Sequence, residues 1–393
     1  MKGRVLAIDM PSGRASQAAL IVDGRVEDLL MDSASETTQP DIDAVSWARV
    51  DRVLPNGAGA FVQLAQDQMG FLREAKGLKA ENGVLVQVIG LPEPGKAAPV
   101  TRKLLYKTRL VIHTPTAPGI NVSRQIRDPE EQGRLIGIVE GWSPDPDTRE
   151  PALQKYWTMH SEGGFIVRSA ARNASDQDVL DAISCALGMR SNHEGLTRSS
   201  EPGKFVQARL AMDDALMEWT DPIPDMIAVT NKLASRLVPS GPWDGLALGE
   251  DIYAAIRSDE GDPFEHFGVW DEVERLQRPL VDLPSGGSMI IEATRAMVTV
   301  DVNTGDHFSQ GAGMTASIEA ARELPRQLRL RGLGGQVIID FATIKKMHRK
   351  KIEEVLKTAF RKDPVPTTLA GWTPLGNFEL QRKRERRPLS ELL

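Results

Sequence analysis

The sequence predicts a multidomain α+β protein, and three observations carry that prediction. With 393 residues and 41 % hydrophobic side chains, the chain is long enough for two to four domains with real cores. Its early part consists of short apolar runs separated by turn residues, a strand-rich pattern. Its last section, 283–393, alternates strand, strand, helix, strand, helix, which implies helices layered on a sheet.

Taken in order, residues 4–31 read as a β-hairpin: VLAID and AALIV are apolar runs, with turns at Pro11-Ser12-Gly13 and Asp23-Gly24. The polar stretch DSASETTQPDID (32–43) reads as a linker. From Trp47 to about Lys103, ARVDRVLPNGAGAFVQL, GFLRE and GVLVQVIGL are spaced like a small all-β barrel. Gly57-Ala58-Gly59 is a turn signal only, because no strand–helix context for a dinucleotide site surrounds it. YKTRLVIHT begins 104–135 as another strand and runs into GINVSRQIRDPEE. EGGFIVRSA (162–170) reads as a strand, and Ser175–Met189 as a helix with Asp176 and Asp178 near its start. Residues 203–235 carry one long helical pattern, FVQARLAMDDALMEW, broken by Pro222 and Pro224, and 236–280 give weaker patterns. No internal repeat is present.

Two helices of the last section follow from spacing. Ile352, Val355, Leu356, Ala359 and Phe360 share one face, while Lys346, Lys350, Lys357 and Arg361 share another that faces solvent or phosphate. Ile318, Ala321, Leu324 and Leu328 line a second helix, in which Pro325 predicts a kink or a late start.

Composition narrows the function classes. No run of eighteen apolar residues is present, and MKGRVLAID enters a strand pattern instead of a signal peptide. The single Cys185 excludes an internal disulfide and a zinc cluster built on several cysteines of one chain. A soluble cytoplasmic protein is expected. The net charge is −6, yet residues 321–393 carry 17 Lys+Arg against 8 Asp+Glu. Such a block reads as a local polyanion-binding surface or as a solvated helix face with a charged tail.

The chemistry concentrates in VTVDVNTGD (298–306) and RQLRLRGLGGQVIIDF (326–341), which place Asp301 and Asp340 at the ends of two apolar, β-branched runs. Two strand-end carboxylates beside cationic side chains suit a Mg²⁺-dependent phosphodiesterase, because Mg²⁺ takes few protein carboxylates and leaves its other positions to water and phosphate oxygens. The competing reading is that both aspartates cap turns or helices. His307 sits in a loop rich in Gly, Ser and Thr and is not assigned as catalytic.

LPSGGS (283–288), VDVNTG (300–305), RQLRLRGLGG (326–335) and VIIDF (337–341) closely resemble the ribonuclease E/G family, in family order and nearly family spacing. More loosely, ARVDRVLPNGAGAFVQL and QMGFLRE resemble its RNA-binding barrel, and GINVSRQI and GGFIVRSA its 5′-end-sensing segment. The resemblance implies a split, catalytically silent ribonuclease-H-like domain (1–36 plus 205–280). It also implies an OB-type RNA-binding barrel (37–103), a 5′-sensor segment (104–204) and a deoxyribonuclease-I-like catalytic domain (281–393).

On the matching positions, the resemblance implies Mg²⁺ ligation by Asp301 and Asp340, with Asn303 orienting metal-bound groups. It implies base stacking by Phe61 and Phe71 beside Lys96, although a single phenylalanine on such a strand more often fills the barrel core. It implies a 5′-monophosphate grip by Arg168 and Ser169, with Lys107 or Thr108 where a small residue is expected. Other departures are a shortened 306–316 loop, Ser317 for Asn and Gly332 for Asp. The Cys-Pro-x-x-Cys zinc link is also missing, so zinc-bridged oligomers are not expected. The Arg/Lys run 382–387 reads as a phosphate-binding tail or a solubilising end. The implied function is an endoribonuclease that cuts single-stranded RNA with Mg²⁺ to 5′-phosphate and 3′-hydroxyl ends, in the processing or decay of RNA. The alternative is a catalytically weakened RNA-binding protein on the same scaffold. A DNA nuclease rests on fold analogy alone.

Overall fold

The computed structural model describes the chain apart from residues 1, 12–14, 34–39, 93–94, 143–157, 204–205, 208, 236, 238–245 and 307–310. His307 therefore lies outside the described residues. Backbone contacts divide the chain into two compact units, Met1–Arg25 with Leu30–Phe267, and Val26–Leu29 with Gly268–Leu393. No helix among the described residues is long and apolar enough to cross a membrane.

Strands β1 (Arg4–Asp9), β2 (Gln17–Val22) and β3 (Arg25–Met31) follow the hairpin pattern. They share one sheet with the much later β14 (Met226–Thr230) and β15 (Ile256–Asp259), in the order β15-β14-β1-β2-β3. Next come β4 (Val45–Val53), β5 (Ala60–Ala65), β6 (Gln68–Leu72), β7 (Gly83–Val88) and β8 (Ala98–Thr101). Because β4 pairs with both β5 and β7, these five strands close into a barrel. Alternation along each strand sends Val50, Val62, Leu64, Leu72, Val86 and Val100 into its core.

A third sheet contains β9 (Tyr106–Lys107), β10 (Val111–Thr114), β11 (Gly119–Val122) and β12 (Gly164–Val167). Helices α1 (Pro129–Gly141) and α2 (Asp176–Ser199) share its core through Leu135, Val139, Phe165 and Ile183. The YKTRLVIHT run is thus two strands. Buried Thr108 breaks it, its hydroxyl donating to the Val111 carbonyl at 2.9 Å to hold the turn. EGGFIVRSA likewise ends early, in a 3-10 turn at Ser169–Ala171, and α2 continues ten residues past the expected Met189. The long helix expected over 203–235 is replaced by α3 (Ala211–Glu218). Before it, β13 (Val206–Gln207) pairs with β4, so a strand partner outweighs helical periodicity there.

The second unit is a layer of helices on one sheet. Strands β16 (Leu280–Asp282), β17 (Ser288–Ala293), β18 (Val298–Asn303), β19 (Gly335–Asp340), β20 (Thr367–Trp372) and β21 (Phe378–Arg382) lie in the order β16-β17-β18-β19-β21-β20. Helices α4 (Ala312–Leu330) and α5 (Arg349–Lys362) cover one face. Ile291, Val300, Val302 and Ile339 of the sheet meet Leu324, Leu328, Ile352 and Leu356 in a single core. Pro325 does not start α4; the helix runs through it. The hydrogen bond lost at an interior proline costs about 3 kcal/mol, and burial of Leu324 and Leu328 on either side offsets it.

Candidate active site

Strands β18 and β19 run parallel with Asp301 directly opposite Asp340. In-register neighbours in a parallel pair point to the same face, roughly 4.8 Å apart. Since Val300, Val302 and Ile339 turn into the core, Asp301, Asn303 and Asp340 emerge together on the exposed face, away from the helices. Asn303 Nδ2 donates to Asp301 Oδ2 at 2.8 Å, which fixes one carboxylate oxygen. Among the described residues no backbone N–H donates to either carboxylate, so the hydrogen bond that defines a cap is missing.

The loops around this pair are held from below. LPSGGS folds into a tight turn in which Leu283 N donates to Gly287 O at 2.8 Å and Gly286 N to Leu283 O at 2.9 Å. Gly305, at φ +59°, passes so close to the Gly286 carbonyl that a Cβ would collide with it. Both glycine motifs are therefore demanded by one backbone crossing. Glu319 of α4 accepts from Ser285 N at 3.0 Å and from Ser285 Oγ at 2.8 Å. Sequence reasoning missed Glu319, because a partner 34 residues away leaves no local pattern.

The cationic neighbours expected from RQLRLRGLGG are engaged elsewhere. The arginines of RQLRLRGLGG turn into a buried network of the second unit. Arg326 binds Glu272 and Glu323, each at 2.7 Å. Arg329 engages Asp28 at 3.3 Å and also Asp363, and Arg331 donates to the carbonyls of Leu276 and Arg278. Burial pushes the Arg331 pKa down to about 10. Two arginines of the C-terminal basic run join the same network, Arg382 with Asp363 at 2.9 Å and Arg386 with Asp28, whereas exposed Lys383 meets Glu385 at 2.8 Å at the surface. Among the described residues no cluster of three or more His, Cys, Asp and Glu side chains forms a metal cage. The donor set is a carboxylate pair with an amide beside it, all oxygen ligands, which fits a hard cation that keeps several waters.

On the barrel, Phe61 and Phe71 are cross-strand partners with ring centroids 5.2 Å apart. Neither belongs to the barrel core; Ala60, Val62 and Leu72 do, so alternation turns both rings outward. The Arg52 guanidinium sits 4.6 Å from the Phe61 centroid. Arg52 has the same sequence parity as inward Val50 and escaped sequence reading, because a register shift between them reverses its direction. Exposed Lys96 lies in the turn leading to β8, which pairs with β6 at Phe71.

A model of the ribonuclease E/G family matches residues 106–385. The chain belongs to the ribonuclease E/G family. It is 28 % identical over 378 residues to ribonuclease G of Salmonella typhimurium and, equally, to that of Escherichia coli K12, covering 88 % of this chain and 73 % of each relative. Ribonuclease E of Synechocystis is 26 % identical over 405 residues, covering 95 % of this chain and 56 % of that protein.

Two departures from the ribonuclease E/G pattern lie at buried or crowded positions. Ser317 is fully buried on α4, and its hydroxyl has no hydrogen-bond partner. Gly332 has φ +64°, and a Cβ there would strike the Arg387 carbonyl oxygen, so an aspartate does not fit this backbone. Arg168 and Ser169, which the resemblance assigns to 5′-monophosphate binding, lie beside Thr108 and Glu218. Arg168 Nη1 donates to the Thr108 carbonyl at 2.8 Å, and Nη2 meets Glu218 at 2.5 Å. Ser169 opens the adjoining 3-10 turn, and Lys107 is tied to Asp43 at 2.6 Å. A phosphate arriving at Arg168 therefore competes with Glu218 for the guanidinium.

Proposed function

We propose that this chain is a Mg²⁺-dependent endoribonuclease that hydrolyses single-stranded RNA to 5′-phosphate and 3′-hydroxyl ends, in RNA processing or decay. The observation that carries the reading is the in-register Asp301–Asp340 pair on an open sheet face, with Asn303 hydrogen-bonded to Asp301. Asp301 and Asp340 would hold the ion. When bound, the ion would supply Lewis-acid stabilisation of the phosphate charge and lower the pKa of a bound water. Asn303 holds the Asp301 carboxylate in one rotamer and leaves its second oxygen free toward the open face. Outside the pair, the outward Phe61 and Phe71 rings offer base-stacking area, worth about 1–3 kcal/mol per base and tolerant of sequence. Arg52 and Lys96 add cationic contacts for the backbone. Gly332 is accounted for by its backbone geometry, whereas nothing in the structure explains Ser317, whose buried hydroxyl is unpartnered.

The test is cleavage of a fluorescent single-stranded RNA with and without Mg²⁺, using wild type and Asp301→Asn. Loss of an outer-shell partner alone costs about 10–100-fold, so removal of a ligand is expected to slow cleavage by more than about 100-fold. Equal rates in wild type and variant would reject the assigned site, and 5′-hydroxyl products would reject the stated chemistry.

A further inference from the structure

Within the second unit, α4 and α5 leave a groove of about 600 Å³ between them, on the helix side of the sheet and hence on the side opposite the carboxylate pair. Helical spacing builds its walls: Arg322, Pro325 and Arg329 rise along α4 and face Lys351, Val355 and Lys362 along α5. This is not the lysine face read from the sequence, since Lys357 is occupied by Glu353 at 2.9 Å and Glu354 at 3.4 Å.

The cations around the groove divide into two kinds. Arg326 and Arg329 are neutralised by the buried carboxylates already described. Arg322, Lys351 and Lys362 are exposed at the rim, and no ion pair or hydrogen bond engages them among the described residues. Between the rims, Pro325, Val355 and Ala359 form an apolar floor. The volume falls in the range of small-molecule sites, roughly 300–1,000 Å³. Glu27 and Glu354 also line the groove, yet Arg322, Lys351 and Lys362 are paired with neither, and three such cations beside an apolar floor match a phosphate joined to a flat ring: the cations take the phosphate oxygens, and the floor takes the ring.

We propose that this groove binds a nucleotide through its phosphate, with Arg322, Lys351 and Lys362 as the cationic contacts. The same chemistry is offered by one unit of an RNA strand and by a free mononucleotide. The site is separate from the carboxylate pair, so its occupant is held away from the proposed cleavage centre.

The experiment measures binding of a labelled single-stranded RNA to the full chain by fluorescence anisotropy, without divalent ion and across a salt series. Adenosine monophosphate is titrated in parallel by calorimetry. The groove variant is Arg322→Gln/Lys351→Gln/Lys362→Gln, and the charge-matched control is Arg295→Gln/Lys350→Gln/Arg361→Gln. The groove variant is expected to lose about ten-fold or more in RNA affinity, and its log–log salt slope to become shallower by about 0.7, the value for one phosphate contact on a single strand. The control is expected to change far less. Loss of adenosine monophosphate binding with RNA binding intact would identify the free nucleotide as the ligand. Equal behaviour of groove and control variants toward both probes would overturn the proposal. Should the triple variant fail to fold, Lys351→Gln carries the same comparison at smaller amplitude against Lys350→Gln. Because no divalent ion is present, failure here leaves the cleavage reading standing, and failure of the Asp301 test leaves this one standing.

Discussion

At the scale of single residues, charge alone did not reveal role. Asp301, Asn303 and Asp340 were legible because strand alternation fixes which side chains leave the core, and all three share the outward parity. The arginines of 326–331 were not legible, because their partners Asp28, Glu272 and Asp363 come from distant segments. A guanidinium that looks ready for phosphate is instead buried against carboxylates. Removing one member of such a pair leaves the other uncompensated. Gly332 gives a direct test of a family departure. Forcing a non-glycine residue into a left-handed conformation costs about 1–3 kcal/mol, and the collision with Arg387 adds to it. Gly332→Asp is therefore expected to lower the thermal midpoint of the second unit, followed by circular dichroism. An unchanged midpoint would show that this backbone accepts the family's usual residue.

Among elements, the β-barrel, the α2 start and the order of the last section as far as α5 follow from period and turn chemistry, whereas the β20–β21 pair after α5 was not foreseen. What escaped was set by tertiary partners: the β4 pairing that claims Val206–Gln207, the buried Thr108 turn, and the passage of α4 through Pro325. The site also depends on an element contact, the hold of α4 on the LPSGGS turn through Glu319. A hydrogen bond to a charged acceptor contributes about 1.5–3 kcal/mol, and this carboxylate receives two. Glu319→Ala is expected to raise hydrogen exchange at the Ser285 amide and to destabilise by about that amount. Unchanged exchange over 283–288 would mean that the turn holds itself.

For the whole molecule, two compact units make a single two-state stability an unsafe description, and their transitions need separate probes. The first unit carries an internal acid sensitivity. His113 is fully buried, with Nδ1 at 3.1 Å from the Gly164 carbonyl and Nε2 at 3.3 Å from Arg190. Burial first, and then Arg190, lower its pKa from 6.5 to about 4. Between these values the unfolded chain binds the extra proton, so this group's contribution is complete above pH 6.5 and is lost as pH falls toward 4. The span corresponds to roughly 3 kcal/mol at about 1.4 kcal/mol per unit. Asp213 acts in the opposite sense. Burial raises its pKa to about 6, so its contribution is present in acid and is lost as pH rises through that value. The readout is therefore a difference: His113→Gln is expected to show a flatter loss of unfolding free energy than wild type from pH 6.5 to 4. Parallel curves would remove His113 as a source.

The pairing of Asp301 with Asp340 also has a consequence in time. Its two halves lie on either side of α4, and β19 is flanked on its far side by β21, which ends at Arg382. Earlier stretches of a chain tend to fold first during synthesis. The barrel, complete by Thr101, therefore precedes the carboxylate pair. Under the proposed function, a ribosome-bound chain would present a surface for bases well before it possesses the means to cut.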